Sequence, residues 1–124
     1  MVYVDLQIAC EASYLPSEQD CQTWISAVLA EESRVTDTEL TVRIVERSES
    51  QMLNHQYRDK DRPTNVLSFP FEAPPGIALP LIGDLVVCAE VVAREAVEQQ
   101  KSIDSHWAHM LLHGCFHLLG YDHI

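Results

Sequence analysis

The stretch Ser105 to His123 reads SHWAHMLLHGCFHLLGYDH. Trp107, Met110, Leu111, Leu112, Phe116 and Leu118 go most of the way round a helix, which implies a helix buried at the centre of the fold. Ser105 or Asp104 is expected to cap it, and it should run to about Leu119. At about 100° per residue, His106, His109, His113 and His117 fall within an arc of roughly 80° on one face. Gly120 supplies the positive φ that ends a helix and turns the chain, so that His123 returns toward the first two histidines. Three neutral nitrogen donors, His113, His117 and His123, with one coordination position left open, describe a catalytic zinc site rather than a structural one. Imidazoles also accept nickel, copper and iron, so Zn2+ is the first expectation and other transition metals remain open.

The neighbours of the trio have plainer readings. Cys115 sits two residues from both His113 and His117, on another side of the helix, and is expected to pack rather than ligate. His106 and His109 lie earlier on the stripe. His109 is open between a proton-transfer or supporting role and a plain surface one. The spacing His-x3-His-x2-Gly-x2-His is that of the long zinc-peptidase motif of metzincins, in which a glutamate follows the first histidine as general base. Here that residue is Gly114, which argues against a peptidase.

Working outward, Val2 to Cys10 alternates as a strand, with Val2, Val4, Leu6 and Ile8 on one side. Ser17 is a plausible cap for a helix whose stripe is Trp24, Ile25, Val28 and Leu29, fraying at Glu31-Glu32. Glu39 to Glu46 alternates as a second strand. Ser48-x-x-Gln51 resembles a capping box for a short helix through Tyr57, with Met52, Leu53 and Tyr57 as its buried side. A polar loop, Arg58 to Asn65, leads to a third strand, Val66 to Phe71, which Pro70 marks as an edge or ends. Ile82 to Cys88 is a fourth strand, in which Asp84 needs a partner or an exposed face. Ala89 to Gln100 is a helix with Val91, Val92, Ala96 and Val97 inward. The expectation is an α+β fold, one domain over residues 1–124, with a small mixed four-stranded sheet and helices packed on it.

Composition narrows the function. The chain has 124 residues and is 47% apolar, enough for one buried core. It has no apolar run long enough to span a membrane. MVYVDLQIAC lacks a basic leader and carries Asp5, which favours the cytoplasm over secretion. No Cys-x-x-Cys pair occurs among the four cysteines, as in a reducing compartment. Eight basic against nineteen acidic residues give a net charge of −11, a poor general surface for nucleic acid. Yet Arg58, Lys60 and Arg62 fall within five positions. A phosphodiester attacked at a metal needs cationic help for its transition state. The fork of Arg58 suits phosphate oxygens better than Lys60 does, if the loop folds over the metal; otherwise Arg58 is a solvated loop charge.

His113-Gly-Cys-Phe-His-Leu-Leu-Gly-Tyr-Asp-His123, Leu53-Asn54 through Tyr57-Arg58, Pro63-Thr-Asn-Val-Leu-Ser-Phe-Pro70 and Gly83-Asp84-Leu85 together resemble the motifs of the YbeY family, metal-dependent endoribonucleases of bacteria. Phe116 stands where leucine is usual, and Asn65 where many members have Asp. The resemblance implies a zinc held by His113, His117 and His123, and an important arginine at Arg58. It makes Arg58 and His113 the catalytic candidates, and Arg58, Lys60 and Arg62 the RNA-binding ones. It implies ribosomal RNA as substrate, chiefly the 3′ end of the small-subunit RNA, with the small ribosomal subunit and the GTPase Era as partners and a part in ribosome quality control. Members continue into an acidic C-terminal helix. Here the sequence stops at Ile124, so His123 is expected to be loosely held and the site more open.

Three functions follow. The first is a single-strand-directed endoribonuclease, with the nucleophile open between a metal-activated water and the 2′-hydroxyl. The second is a non-catalytic ribosome-assembly factor with a structural zinc. The third, disfavoured by Gly114, is a metzincin-like peptidase.

Overall fold

Alternating apolar residues pair as strands, and the apolar stripes between them become helices. The computed structural model describes residues 2–12, 14–31, 37–72, 74–76 and 80–120. Its elements are β1 (Val2–Ala9), α1 (Glu18–Glu31), β2 (Thr38–Val45), α2 (Arg47–Arg58), β3 (Val66–Pro70), β4 (Leu81–Cys88), α3 (Ala89–Glu98) and α4 (Ile103–Leu118). The four strands form one sheet in the order β1-β2-β4-β3. β1, β2 and β4 run parallel, and β3 pairs antiparallel with β4. The expected mixed α+β architecture is what forms, and β3 is the edge strand that Pro70 foretold.

One face of the sheet carries the main core. Val4, Leu40, Val42, Ile44, Val66, Leu85 and Val87 pack there against α1 and α4. α4 lies between α1 and α3 and touches β3 and β4. Trp107 and Leu111 are sealed at its centre. Each such side chain contributes about 1.5–3 kcal/mol by leaving water. Strand residues alternate, so Val45, Leu67 and Val86 fall on the other face. They pack there with Ala9, Phe69 and Leu53 of α2.

The helix starts follow local chemistry. Ser17 Oγ accepts from the Asp20 amide at 3.0 Å and the Asp20 carboxylate accepts in return from the Ser17 amide, closing the expected cap of α1. α4 begins earlier than expected. Ser102, not Asp104 or Ser105, is its N-cap and accepts from the Ser105 amide at 3.1 Å. Gly120 has φ +92°, as its place after the helix required.

α2 departs most from its sequence reading. Its N-cap is Glu46, with no side-chain cap bond, so Ser48 lies inside the helix and forms no capping box. Met52 and Tyr57 are more than half exposed, whereas Ser50 and Asn54 are buried. The buried side is polar because it holds the following loop. Ser50 Oγ donates to the Thr64 carbonyl and accepts from the Thr64 amide, both at 3.0 Å, and Asn54 Nδ2 donates to the Arg62 carbonyl at 2.8 Å. Smaller differences are that Val97 is exposed on α3, Leu112 on α4 and Ile8 on the edge strand β1. Asp84 takes the exposed option, on the sheet face away from the main core.

Candidate active site

A cleft of 760 Å³ runs along the edge strand β3, between the C-terminal turn of α2 and one face of α4. Tyr57 and Arg58 line it from α2, Asn65 to Phe69 from β3, and His109, Met110, His113 and His117 from α4. α2 ends where Asp59 takes the left-handed conformation, φ 57°, and its amide donates to the His55 carbonyl. Lys60 also donates to the Asn54 carbonyl. The turn thus stops the helix at Arg58, on the cleft. Arg58 is exposed, makes no ion pair among the described residues, and is the cleft lining's one lysine or arginine. Lys60 and Arg62 are exposed in the loop and lie outside that lining.

His113 and His117 stand one helical turn apart with ring centroids 4.8 Å from each other and planes tilted by 41°. Nε2 of His117 is shielded from solvent. Two adjacent imidazoles at the end of a cleft fit two corners of a tetrahedral metal site. The third expected donor, His123, lies outside the described residues, and among the described residues no three His, Cys, Asp or Glu side chains converge on a point. Cys115 packs into the core, and burial pushes its thiol up to about 12, so it stays a protonated hydrophobe.

Gly114 is a packing residue. A Cβ there would stand 2.7 Å from Cδ2 of Leu85 and 3.3 Å from Cγ2 of Val66. α4 therefore lies directly on β4 and β3, and a glutamate side chain at this position would enter the sheet contact. Ser68 Oγ donates to the Gly114 carbonyl at 3.3 Å, tying the cleft wall to the helix.

Behind the pair lies a network that sequence reasoning missed. His106 is buried, and its Nε2 lies 3.0 Å from Glu95 Oε1. Asn65 Nδ2 donates to both Glu95 oxygens at 3.2 Å, while Asn65 Oδ1 accepts from the Val66 amide at 2.6 Å. The amide is what lets position 65 donate to Glu95; an aspartate would set two carboxylates against each other. Glu95 thus fastens β3 to α3 and α4. The available signal was its place beside Val91, Val92 and Ala96 on the apolar stripe of α3. His109, on the cleft side, receives Lys101 Nζ at its Nδ1, 3.0 Å away. Partial burial, then Lys101 and His106, hold its imidazole below the ordinary histidine value, favouring the neutral ring.

An imidazole pair and a guanidinium sharing one cleft are a donor set suited to an anionic, metal-assisted reaction. The family model described as Endoribonuclease YbeY matches residues 7–124. The solution structure of TM1509 from Thermotoga maritima is similar over 96% of this chain and 75% of that one, with a TM-score of 0.61 and 28% identity. The chain belongs to the YbeY family of endoribonucleases, a family of ribosomal RNA processing. No described helix is long and apolar enough to cross a membrane.

Proposed function

We propose that the chain is a metal-dependent endoribonuclease that cuts single-stranded RNA in this cleft. The observation that carries the reading is the presence of Arg58 on the same cleft as His113 and His117. Arg58 lies 55 or more positions before the two histidines and comes from a different element. His113 and His117, with His123, would hold Zn2+, which when bound supplies Lewis acidity to a phosphate oxygen or to the nucleophile. The Arg58 fork holds non-bridging oxygens and offsets the charge that builds on them. Lys60 and Arg62 guide the strand from the loop beside it. The α4 backbone, fixed on the sheet by Gly114 and Ser68, presets the spacing of the imidazoles, so little reorganisation is left for the reaction.

The reading extends to maturation of the 3′ end of small-subunit ribosomal RNA, to ribosome quality control, to the small subunit and the GTPase Era as partners, and to the cytoplasm. Those extensions rest on the family resemblance. Residues 1–124 act together as the one hydrolase domain. Gly114 speaks against the peptidase, since the base that chemistry needs has no room on this helix.

The test is cleavage of single-stranded RNA by the purified chain before and after chelation. His113→Ala and Arg58→Ala should each lower the rate about a hundredfold or more, as losing one transition-state contact does. Arg58 is exposed, so its variant should melt within about 0.5 kcal/mol of the parent. Undiminished cleavage in both variants overturns the proposal. Chelation that unfolds the chain, rather than silencing a folded one, favours the assembly factor with a structural zinc.

A further inference from the structure

Tyr57 is 60% exposed although it is a large aromatic on the last turn of α2. The apolar seat beneath it is taken by Phe69, which packs with Leu67, Val86 and Leu53. Tyr57 meets Phe69 edge-to-face, with centroids 5.1 Å apart and planes at 74°. Such a neighbour fixes a ring while leaving much of it bare. Tyr57 also adjoins Arg58 in sequence, and both line the cleft.

We infer that Tyr57, steadied by Phe69, is the platform on which an RNA base stacks next to the phosphate gripped by Arg58. The inference rests on the RNA-cleaving reading and names the part of the site that recognises a base. Charge makes the platform necessary. The chain carries −11, and among the described residues Arg58 is the one lysine or arginine that lines the cleft. Inside the cleft, phosphate neutralisation therefore rests on Arg58, with Lys60 and Arg62 outside the lining, whereas stacking on an aromatic face needs no cation and suits single strands. The same two rings line a second groove on their far side, over the open face of the sheet. There Arg43 is tied to Glu49 at 2.8 Å, which leaves the exposed Asp84 carboxylate to repel phosphate. The aromatic pair is thus a ridge that keeps a strand on the histidine side.

The experiment uses the full chain with Zn2+ and short single-stranded RNAs carrying 2-aminopurine, followed by fluorescence quenching. The parent and Tyr57→Phe should quench and bind alike. Tyr57→Leu should lose the quenching and bind roughly tenfold more weakly, the loss of one stacked base. Its salt dependence should stay near the parent's, whereas Arg58→Ala should flatten the log–log slope by about 0.7, the share of one phosphate on a single strand. A scan of single abasic sites through the RNA, read on the unaltered protein, should find one position with a similar loss; this arm does not depend on any variant's folding. Equal affinity at every abasic position, or Tyr57→Leu binding as the parent does, overturns the inference. Cleavage is followed on the same strands. Tyr57-dependent binding without cleavage would sink the nuclease reading and leave the platform standing, and cleavage indifferent to Tyr57 would do the reverse.

Discussion

α2 and α4 face each other across the cleft and reach their places by opposite means. α4 is held by apolar contact: Trp107 and Leu111 are buried, and Gly114 brings its backbone down onto Leu85 and Val66. α2 shares only Leu53 with the apolar cluster beneath it and buries Ser50 and Asn54 to clasp the loop at 62–64. One helix sets imidazoles on a rigid base. The other sets a guanidinium and a tyrosine at the tip of a hydrogen-bonded turn. A two-sided cleft can thus combine a stiff imidazole wall with a wall whose geometry depends on a few polar contacts.

The hardest way to break this contrast is Gly114→Glu, which gives α4 the peptidase's carboxylate. Its Cβ alone would lie 2.7 Å from Leu85, and the carboxylate would be forced toward a dry contact. Overpacking costs about 1–3 kcal/mol, and an unpaired buried charge adds several more. The expected outcome is an insoluble chain or a melting temperature lowered by well over ten degrees, without peptide cleavage. A folded variant that cuts peptides would show that Gly114 faces the site and not the sheet.

The same contrast explains what the sequence could tell. α1, β2 and α4 announce themselves through apolar periodicity, because their buried sides are apolar. The family blocks pointed to Arg58, His113 and His117, and the fold gathers those three on one cleft. α2 misleads because pattern reading assigns the buried side to Met52, Leu53 and Tyr57. Its true buried residues are polar groups whose partners sit eight to fourteen positions on, beyond any helical repeat. Glu95 escaped for a related reason: its partners, Asn65 and His106, are 30 and 11 residues away. Polar burial is specified by distant partners, and local periodicity carries no record of them.

Asn54→Ala tests the polar wall. It removes the 2.8 Å bond to the Arg62 carbonyl and leaves that acceptor short of a partner. The expected cost is about 1–3 kcal/mol in a denaturant titration, together with slower RNA cleavage as the turn behind Arg58 loosens. Met52→Ala, two residues earlier and on the exposed side, should change stability by less than about 0.5 kcal/mol. Equal effects from the two would restore the apolar reading of α2.

The smallest expected effect bears on where α4 starts. Ser102 Oγ accepts from the Ser105 amide at 3.1 Å, one of the amide groups that a first turn leaves without a helical partner. Ser102→Ala should therefore cost about 1 kcal/mol, seen as a shifted midpoint with an unchanged slope. Ser105 acts through its backbone, so Ser105→Ala should be nearly silent. The imidazole pair lies eleven and fifteen residues further along, on a segment the sheet contact already fixes, so RNA cleavage should survive Ser102→Ala. If cleavage fell with the cap, the imidazole wall would depend on its polar end as α2 does, and the contrast between the two helices would fail.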